Sequence, residues 1–144
     1  MTGGISEREL HERALALLEK LGIEKLQNAY PKELSGGECR RMSIARALIL
    51  NPDVIFADEP TADLDDENTQ KVLKLFREYA DHGATVLLVT HDEEAVFYSD
   101  EVYDMKGGVL SSARKPKGRD GISQIGISQN KLSQNVLTQN EYSA

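Results

Sequence analysis

The chain has 144 residues and a formal net charge of −7, which argues against a nucleic-acid surface, since affinity for a phosphate backbone comes from clustered Lys and Arg. Its single cysteine excludes a disulfide framework within the chain and favours a reducing compartment. No apolar run approaches the roughly 20 residues that cross a bilayer, and the N-terminus lacks the basic and apolar regions of a signal peptide. These features predict a soluble, cytoplasmic protein that would reach a membrane only through a partner.

The first two predicted elements are helices. Apolar residues at helical spacing predict an amphipathic helix over residues 6–21, and Gly22 is suited to end it. After a connector, a second helix begins at Ser35 and is stopped by Asn51-Pro52.

Strands and helices alternate in the rest of the first 112 residues. The predicted elements are a buried strand over 53–57, a helix from Asp65 to His82, a buried strand over 85–90, a short helix over 93–98 capped by Asp92, a strand over 101–105 and a last strand over 109–110. Continuous apolar strands joined through helices predict an α/β fold with a parallel sheet flanked by helices.

Residues 113–144 differ in composition. A basic segment is followed by a five-residue repeat that runs from Ile122-Ser123-Gln124 to Leu137-Thr138-Gln139. A period of five fits neither a helix face nor a strand face. The polar composition predicts a disordered, low-complexity tail, and a β-helix of pentapeptide repeats is the alternative.

A glycine-rich turn opens the second helix. Ser35 and Glu38 have the spacing of a capping box, which explains the serine and the glutamate. A capping box does not require the consecutive glycines Gly36 and Gly37. Glycines at a helix start let backbone N–H groups approach a phosphate closely, so the two interpretations can hold together.

Two carboxylates, Asp58 and Glu59, follow the first predicted strand directly. The carboxyl ends of strands are where α/β sheets bind ligands, although an isolated acidic pair after a strand is commonly a solvated turn. His91 follows the strand 85–90 in the same way. A lone histidine there is more commonly a surface residue than a catalytic one.

These motifs resemble those of one family. Residues 34–48, LSGGECRRMSIARAL, resemble the signature helix of the ATP-binding cassette (ABC) transporter ATPases, except that Arg40 stands where the family usually has Gln. Asp58-Glu59 resembles the end of the Walker B motif, residues 60–65 resemble the D-loop, and VTHD at 89–92 resembles the switch histidine. The stretch from Walker B to that histidine looks most like the lipoprotein-release and antimicrobial-peptide-efflux group.

The resemblance implies ATP and Mg²⁺ as cofactors. It implies that Asp58 contacts Mg²⁺, that Glu59 polarises the attacking water and that His91 hydrogen-bonds the γ-phosphate. The nucleotide-contacting residues that it implies are Leu34, Ser35, Gly36, Gly37, Glu38 and Asp65. In the family, the signature faces the nucleotide held by a second ATPase subunit in a head-to-tail dimer. A membrane permease partner would place the protein at the inner face of the cell membrane.

The implied fold is a P-loop NTPase-like parallel sheet with part of the helical signature subdomain. The sequence contains no Gly-Lys dipeptide and therefore no G-x-x-x-x-G-K-[ST] loop, so the resemblance covers only the C-terminal half of a cassette and the sheet is incomplete. The predicted domains are 1–112, divided into a signature subdomain over 5–52 and a core over 53–112, and the tail 113–144.

Two expectations follow from the missing loop. The isolated chain should bind ATP weakly or not at all and be inactive alone, because most of the triphosphate charge has no partner in it. The strand over 85–90 should have an open apolar edge that favours association. The alternatives are a non-catalytic module that lends its signature helix in trans to a complete cassette, and a truncated or frameshifted product.

Overall fold

The structure, a computed structural model, describes residues 5–111, and the predicted tail lies outside the described residues. Its helices and strands are α1 (Glu7–Lys20), α2 (Gly36–Leu48), β1 (Val54–Asp58), α3 (Asp66–Asp81), β2 (Thr85–Val89), α4 (Ala95–Tyr98), β3 (Met105–Lys106) and β4 (Val109–Leu110). Two 3₁₀ turns, Glu24–Leu26 and Pro31–Glu33, form the connector between α1 and α2. The predicted α/β architecture, a parallel sheet with flanking helices, is confirmed.

Helix α1 begins and ends where its sequence predicts. The Ser6 hydroxyl caps its first turn, and Gly22 follows its end with a φ of +66°. The Ile23 N–H donates to the Leu18 carbonyl (2.9 Å), which closes the last turn as in a Schellman motif. Both of these apolar side chains are buried, so the turn directs the chain back over the core.

The core lies between the three long helices and one face of the β1–β2 sheet. Leu21, Leu48 and Val72, one from the end or middle of each helical segment, have no exposed surface. The Tyr79 hydroxyl donates to the Leu48 carbonyl (2.9 Å) and so ties α3 to the end of α2. This packing fixes the two helices relative to the strand that carries the predicted carboxylates.

The two strands of the main sheet are parallel and in register, from Val54 opposite Thr85 to Asp58 opposite Val89. Ile55 of β1 is buried, and Ala57, Val86 and Leu88 pack against the same core. One face of the sheet is therefore covered by helices.

The opposite face is not covered by any of residues 5–111, and we call it the bare sheet face. Its apolar side chains are Val54 (50% exposed), Phe56 (77%), Leu87 (52%) and Val89 (57%). The prediction of two fully buried strands is therefore wrong for the described part of the chain: residues alternate between the faces, and helices pack on only one. Within residues 5–111 this sheet has two strands, so each strand also has one edge without a strand neighbour.

Two predicted boundaries after β2 are also wrong. Helix α4 begins at Ala95 rather than at residue 93, because Asp92 does not cap it. The Asp92 carboxylate instead accepts from the Glu94 N–H (2.9 Å) and forms a turn before the helix.

The strand predicted over 101–105 is reduced to Met105–Lys106, which pairs antiparallel with Val109–Leu110. Gly107 and Gly108 connect them with φ values of +57° and +78°, which only glycine adopts without strain, so the predicted hairpin turn is confirmed. None of the helices between residues 5 and 111 is long and apolar enough to cross a membrane.

Candidate functional site

Strand β1 places the two predicted carboxylates in different surroundings. Asp58, its last residue, is exposed at the end of the bare sheet face. Glu59 follows with a φ of +44°, a left-handed conformation that is unfavourable for any residue except glycine. The Glu59 N–H donates to the Val89 carbonyl (2.8 Å), so the pairing with β2 continues one residue past the strand.

The Glu59 carboxylate is held by two residues that follow β2. Its Oε1 lies 2.8 Å from Nδ1 of His91, and its Oε2 accepts from the Thr90 hydroxyl (3.1 Å). Because β1 and β2 are parallel, the residues after their carboxyl ends meet at one edge of the sheet. The structure thus brings together Glu59 and His91, which are 32 residues apart in the sequence.

This contact changes the acidity of both groups. The hydrogen bond from His91 lowers the pKa of Glu59, and the same hydrogen bond, with the charge of Glu59, raises the pKa of His91. Glu59 is therefore ionised near neutral pH and is held in one orientation. An ionised, oriented carboxylate at the end of a strand is able to accept a proton from a bound water.

Replacing Glu59 with Gln is expected to lower the pKa of His91 towards its ordinary value of 6.5, because the charged partner is removed. The contribution of His91 to the stability of the fold is fully present below pH 6.5 and is lost as the pH rises through the raised pKa of His91 in the folded state. The stabilisation from Glu59 is present above its ordinary value of 4.5 and is lost as the pH falls through its lowered pKa. The pair therefore stabilises the fold most between these ordinary values.

An NMR titration of the histidine ring protons checks this expectation, with His11 and His82 as internal controls in the same spectra. An unchanged His91 titration in Glu59→Gln would contradict the pairing.

Residues 34–38, which we call the signature end, contain a complete capping box. Ser35 is the N-cap of α2, and its hydroxyl accepts from the Glu38 N–H (3.3 Å). The Glu38 carboxylate accepts in turn from the N–H of Ser35 (2.8 Å), and this hydrogen bond is the main cause of the lowered pKa of Glu38. Leu34, half-buried, precedes the cap and ends the second 3₁₀ turn.

The two signature glycines have different neighbours. A Cβ on Gly36 would meet no atom within 4 Å, whereas a Cβ on Gly37 would lie 3.2 Å from Cδ2 of Leu64 and 3.5 Å from the Asp63 carbonyl. Gly37 thus packs on the loop after β1, and Gly36 has open space beside it. Asp65, at the end of that loop, caps α3 by accepting from the Asn68 N–H (2.8 Å), which lowers its pKa.

Replacement by alanine is expected to change the stability of the fold differently at the two glycines. Gly36→Ala should stabilise the fold by about 0.5–1 kcal/mol, since alanine loses less conformational freedom in a helix. Gly37→Ala should be less favourable than Gly36→Ala by about 1 kcal/mol, because Leu64 has to move. Urea unfolding followed by circular dichroism measures both, and equal effects would contradict the close packing of Gly37.

A cavity of about 400 Å³ lies beside Glu59 and His91. Its lining is Glu59, Thr61, Ala62, Asp63, Leu64, Asp66, Thr69, His91, Asp92, Glu93 and Glu94. None of residues 34–38 lines it, and among the described residues that do, every ionisable one except His91 is a carboxylate. Burial and the neighbouring Asp92 raise the pKa of Glu94, as expected for acidic groups crowded together.

The donor set suits Mg²⁺ only together with a nucleotide. Within residues 5–111, no three or more His, Cys, Asp or Glu side chains are grouped so that they could hold a metal ion. Mg²⁺ is commonly bound through one or two carboxylates, with phosphates and water completing its coordination. Asp58, exposed at the end of β1, could supply one such carboxylate.

Sequence reasoning missed three contacts at this site. Thr90 holds Glu59, Thr61 donates to Asp92 (3.1 Å), and Nη1 of Arg40 donates to the Glu59 carbonyl (3.0 Å). Thr90 could have been found, because residues after neighbouring parallel strands meet. The Arg40 contact has no sequence signal, since it depends on where α2 lies relative to the turn after β1.

The chain is similar to known proteins of the family that its motifs resemble. The sequence model of the family described as "ABC transporter" matches residues 2–62. The lipoprotein-releasing system ATP-binding protein LolD of Rickettsia typhi is 42% identical over 111 residues, which are 76% of this chain and 50% of that protein. The macrolide export ATP-binding/permease protein MacB of Agrobacterium fabrum is 41% identical over 109 residues, 76% of this chain and 17% of that protein.

Among solved structures, the cassette MJ0796, described as a dimer bound to ADP and Pi, superimposes with a TM-score of 0.70 at 35% identity. That match covers 82% of this chain and 52% of the cassette. The chain thus spans about half of the lipoprotein-releasing protein and of the cassette, and a smaller part of the macrolide exporter. The predicted resemblance to the lipoprotein-release group is confirmed, and the chain belongs with the ABC transporter ATP-binding domains, of which it matches about half.

Proposed function

We propose that this chain is the part of an ABC transporter ATPase that carries the hydrolytic carboxylate and the signature, and that the whole protein couples ATP hydrolysis to membrane transport. The observation that carries the proposal is the Glu59 carboxylate, held at the end of β1 by His91 (2.8 Å) and Thr90 (3.1 Å). In this proposal Glu59 is the general base, Asp58 holds Mg²⁺ and His91 contacts the γ-phosphate. Mg²⁺, when bound, would neutralise phosphate charge.

The signature end and the carboxylate end would serve two different nucleotides. Leu34–Glu38 and Asp65 would contact ATP held by a second ATPase subunit in a head-to-tail dimer. This division is supported by the cavity beside Glu59, whose lining includes none of residues 34–38, and by the open space beside Gly36. A permease partner at the inner face of the membrane is supported by the name of the macrolide exporter, which joins an ATP-binding part and a permease part.

A second function is favoured by the completeness of the signature end. The capping box of Ser35 and Glu38 and the packing of Gly37 on Leu64 are formed entirely by residues of this chain. The chain could therefore lend its signature to a complete cassette without hydrolysing ATP itself. In either case the isolated chain is proposed to be inactive.

Capture of the chain by an immobilised complete cassette, such as MJ0796, tests the role of the signature. We expect retention with Mg-ATP and not without it. Ser35→Asp should abolish retention, because aspartate still caps the helix but brings a negative charge to the triphosphate.

The matched control is Ser6→Asp, which makes the same change at the N-cap of α1. Retention without ATP, or retention that Ser35→Asp leaves unchanged, would refute the proposed role of the signature.

A further inference from the structure

The main chain of Glu59 is held in an unfavourable conformation. Its φ of +44° lies in the left-handed region, which residues other than glycine keep only where their surroundings hold them there. The Glu59 N–H is fixed by the Val89 carbonyl (2.8 Å). Since φ and ψ together set the direction of the side chain, the carboxylate reaches His91 and Thr90 only while this conformation persists.

The carbonyl side of Glu59 is held from a different element. The Glu59 carbonyl accepts from the Ala62 N–H (3.2 Å) within the turn and from Nη1 of Arg40 (3.0 Å). Arg40 is half-buried on α2, one turn after Gly37 of the signature. A guanidinium donor is charged and forms a stronger hydrogen bond than a neutral amide in the same place.

We propose that Arg40 is a positioning residue that holds the main chain of Glu59 left-handed, and so couples the signature helix to the carboxylate. This proposal rests on the proposed function, because the orientation of the Glu59 carboxylate matters for catalysis only if Glu59 is the general base. It also assigns a role to the position where the family resemblance leads one to expect Gln. A displacement of α2 would pull on the Glu59 carbonyl and turn the carboxylate away from His91.

The hydrogen bond of Arg40 goes to the carbonyl of Glu59 and not to its carboxylate, so its effect on the carboxylate is indirect and can be distinguished by experiment. If Arg40 sets the Glu59 main chain, its loss changes the hydrogen bond at His91 Nδ1 without changing any residue that contacts His91. If Arg40 only stabilises the fold, the His91 signal stays the same in every molecule that remains folded.

The experiment compares Arg40→Ala and Arg40→Lys with Arg46→Ala, a control at an exposed position of the same helix. The readouts are the ¹⁵N shift of His91 Nδ1 at a fixed pH and the exchange rate of the Glu59 amide. Arg40→Ala should move the His91 shift to its position in Glu59→Gln and speed exchange of the Glu59 amide at least tenfold. Arg40→Lys should restore most of both values, and Arg46→Ala should change neither.

An unchanged His91 shift in folded Arg40→Ala would overturn the proposal. Should that variant fail to fold, a scalar coupling through the hydrogen bond from the Arg40 guanidinium to the Glu59 carbonyl decides the matter in the unchanged chain, and its absence would also overturn the proposal. No measurement here uses ATP, so failure of the cassette capture would leave these results in place, and their failure would leave the capture in place.

Discussion

The double variant Phe56→Lys, Leu87→Lys is expected to be a monomer at concentrations where the unchanged chain self-associates. These two side chains lie opposite each other in the register of the bare sheet face and are 77% and 52% exposed. Each would contribute about 1.5–3 kcal/mol when buried against another molecule. Replacing both with charged residues should therefore weaken association roughly 10²–10⁴-fold.

Sedimentation velocity at several protein concentrations measures this change. A matched control is Met105→Lys with Val109→Lys, which alters equally exposed apolar residues on the β3–β4 hairpin and should leave self-association unchanged. An unchanged chain that is monomeric at every concentration, with one cooperative melting transition, would contradict the role of the bare sheet face.

The element types were predictable because local and periodic signals agree in this sequence. Ser35 and Glu38 define a helix start by their own hydrogen bonds, and the apolar runs over 54–58 and 85–89 define strands in any α/β fold. Burial was not predictable to the same degree. An apolar run has the same sequence whether helices cover one face of the sheet or both, so the exposure of Phe56 and Leu87 could not be foreseen.

The candidate site, too, could be predicted only in part from the sequence. Glu59 and His91 meet because parallel strands end together, a rule that the sequence is sufficient to apply. The left-handed φ of Glu59 and its contact with Arg40 depend on where α2 lies relative to the turn after β1. No periodicity or motif encodes that placement, so the sequence predicts which residues meet at this end of the sheet but not how the carboxylate is oriented.

Titration of the isolated chain with Mg-ATP is expected to give a dissociation constant of about 1 mM or weaker. Among residues 5–111, the ionisable groups that line the cavity beside Glu59 are carboxylates, apart from His91, which can carry a positive charge. A triphosphate would therefore be repelled there. The start of α2 offers backbone N–H groups to an anion, but its first turn also holds the ionised Glu38.

If charge is the cause, reversing it in the cavity should strengthen binding. Glu93→Lys with Glu94→Lys is expected to increase the affinity for Mg-ATP roughly tenfold or more at low ionic strength, since each change replaces a repulsion by an attraction. Glu12→Lys with Glu19→Lys, which makes the same net-charge change at exposed positions of α1, should have little effect. Calorimetry measures all three chains. Micromolar binding by the unchanged chain would show that it holds nucleotide without a phosphate-binding loop, and equal gains in both variants would show that net charge, rather than this cavity, sets the affinity.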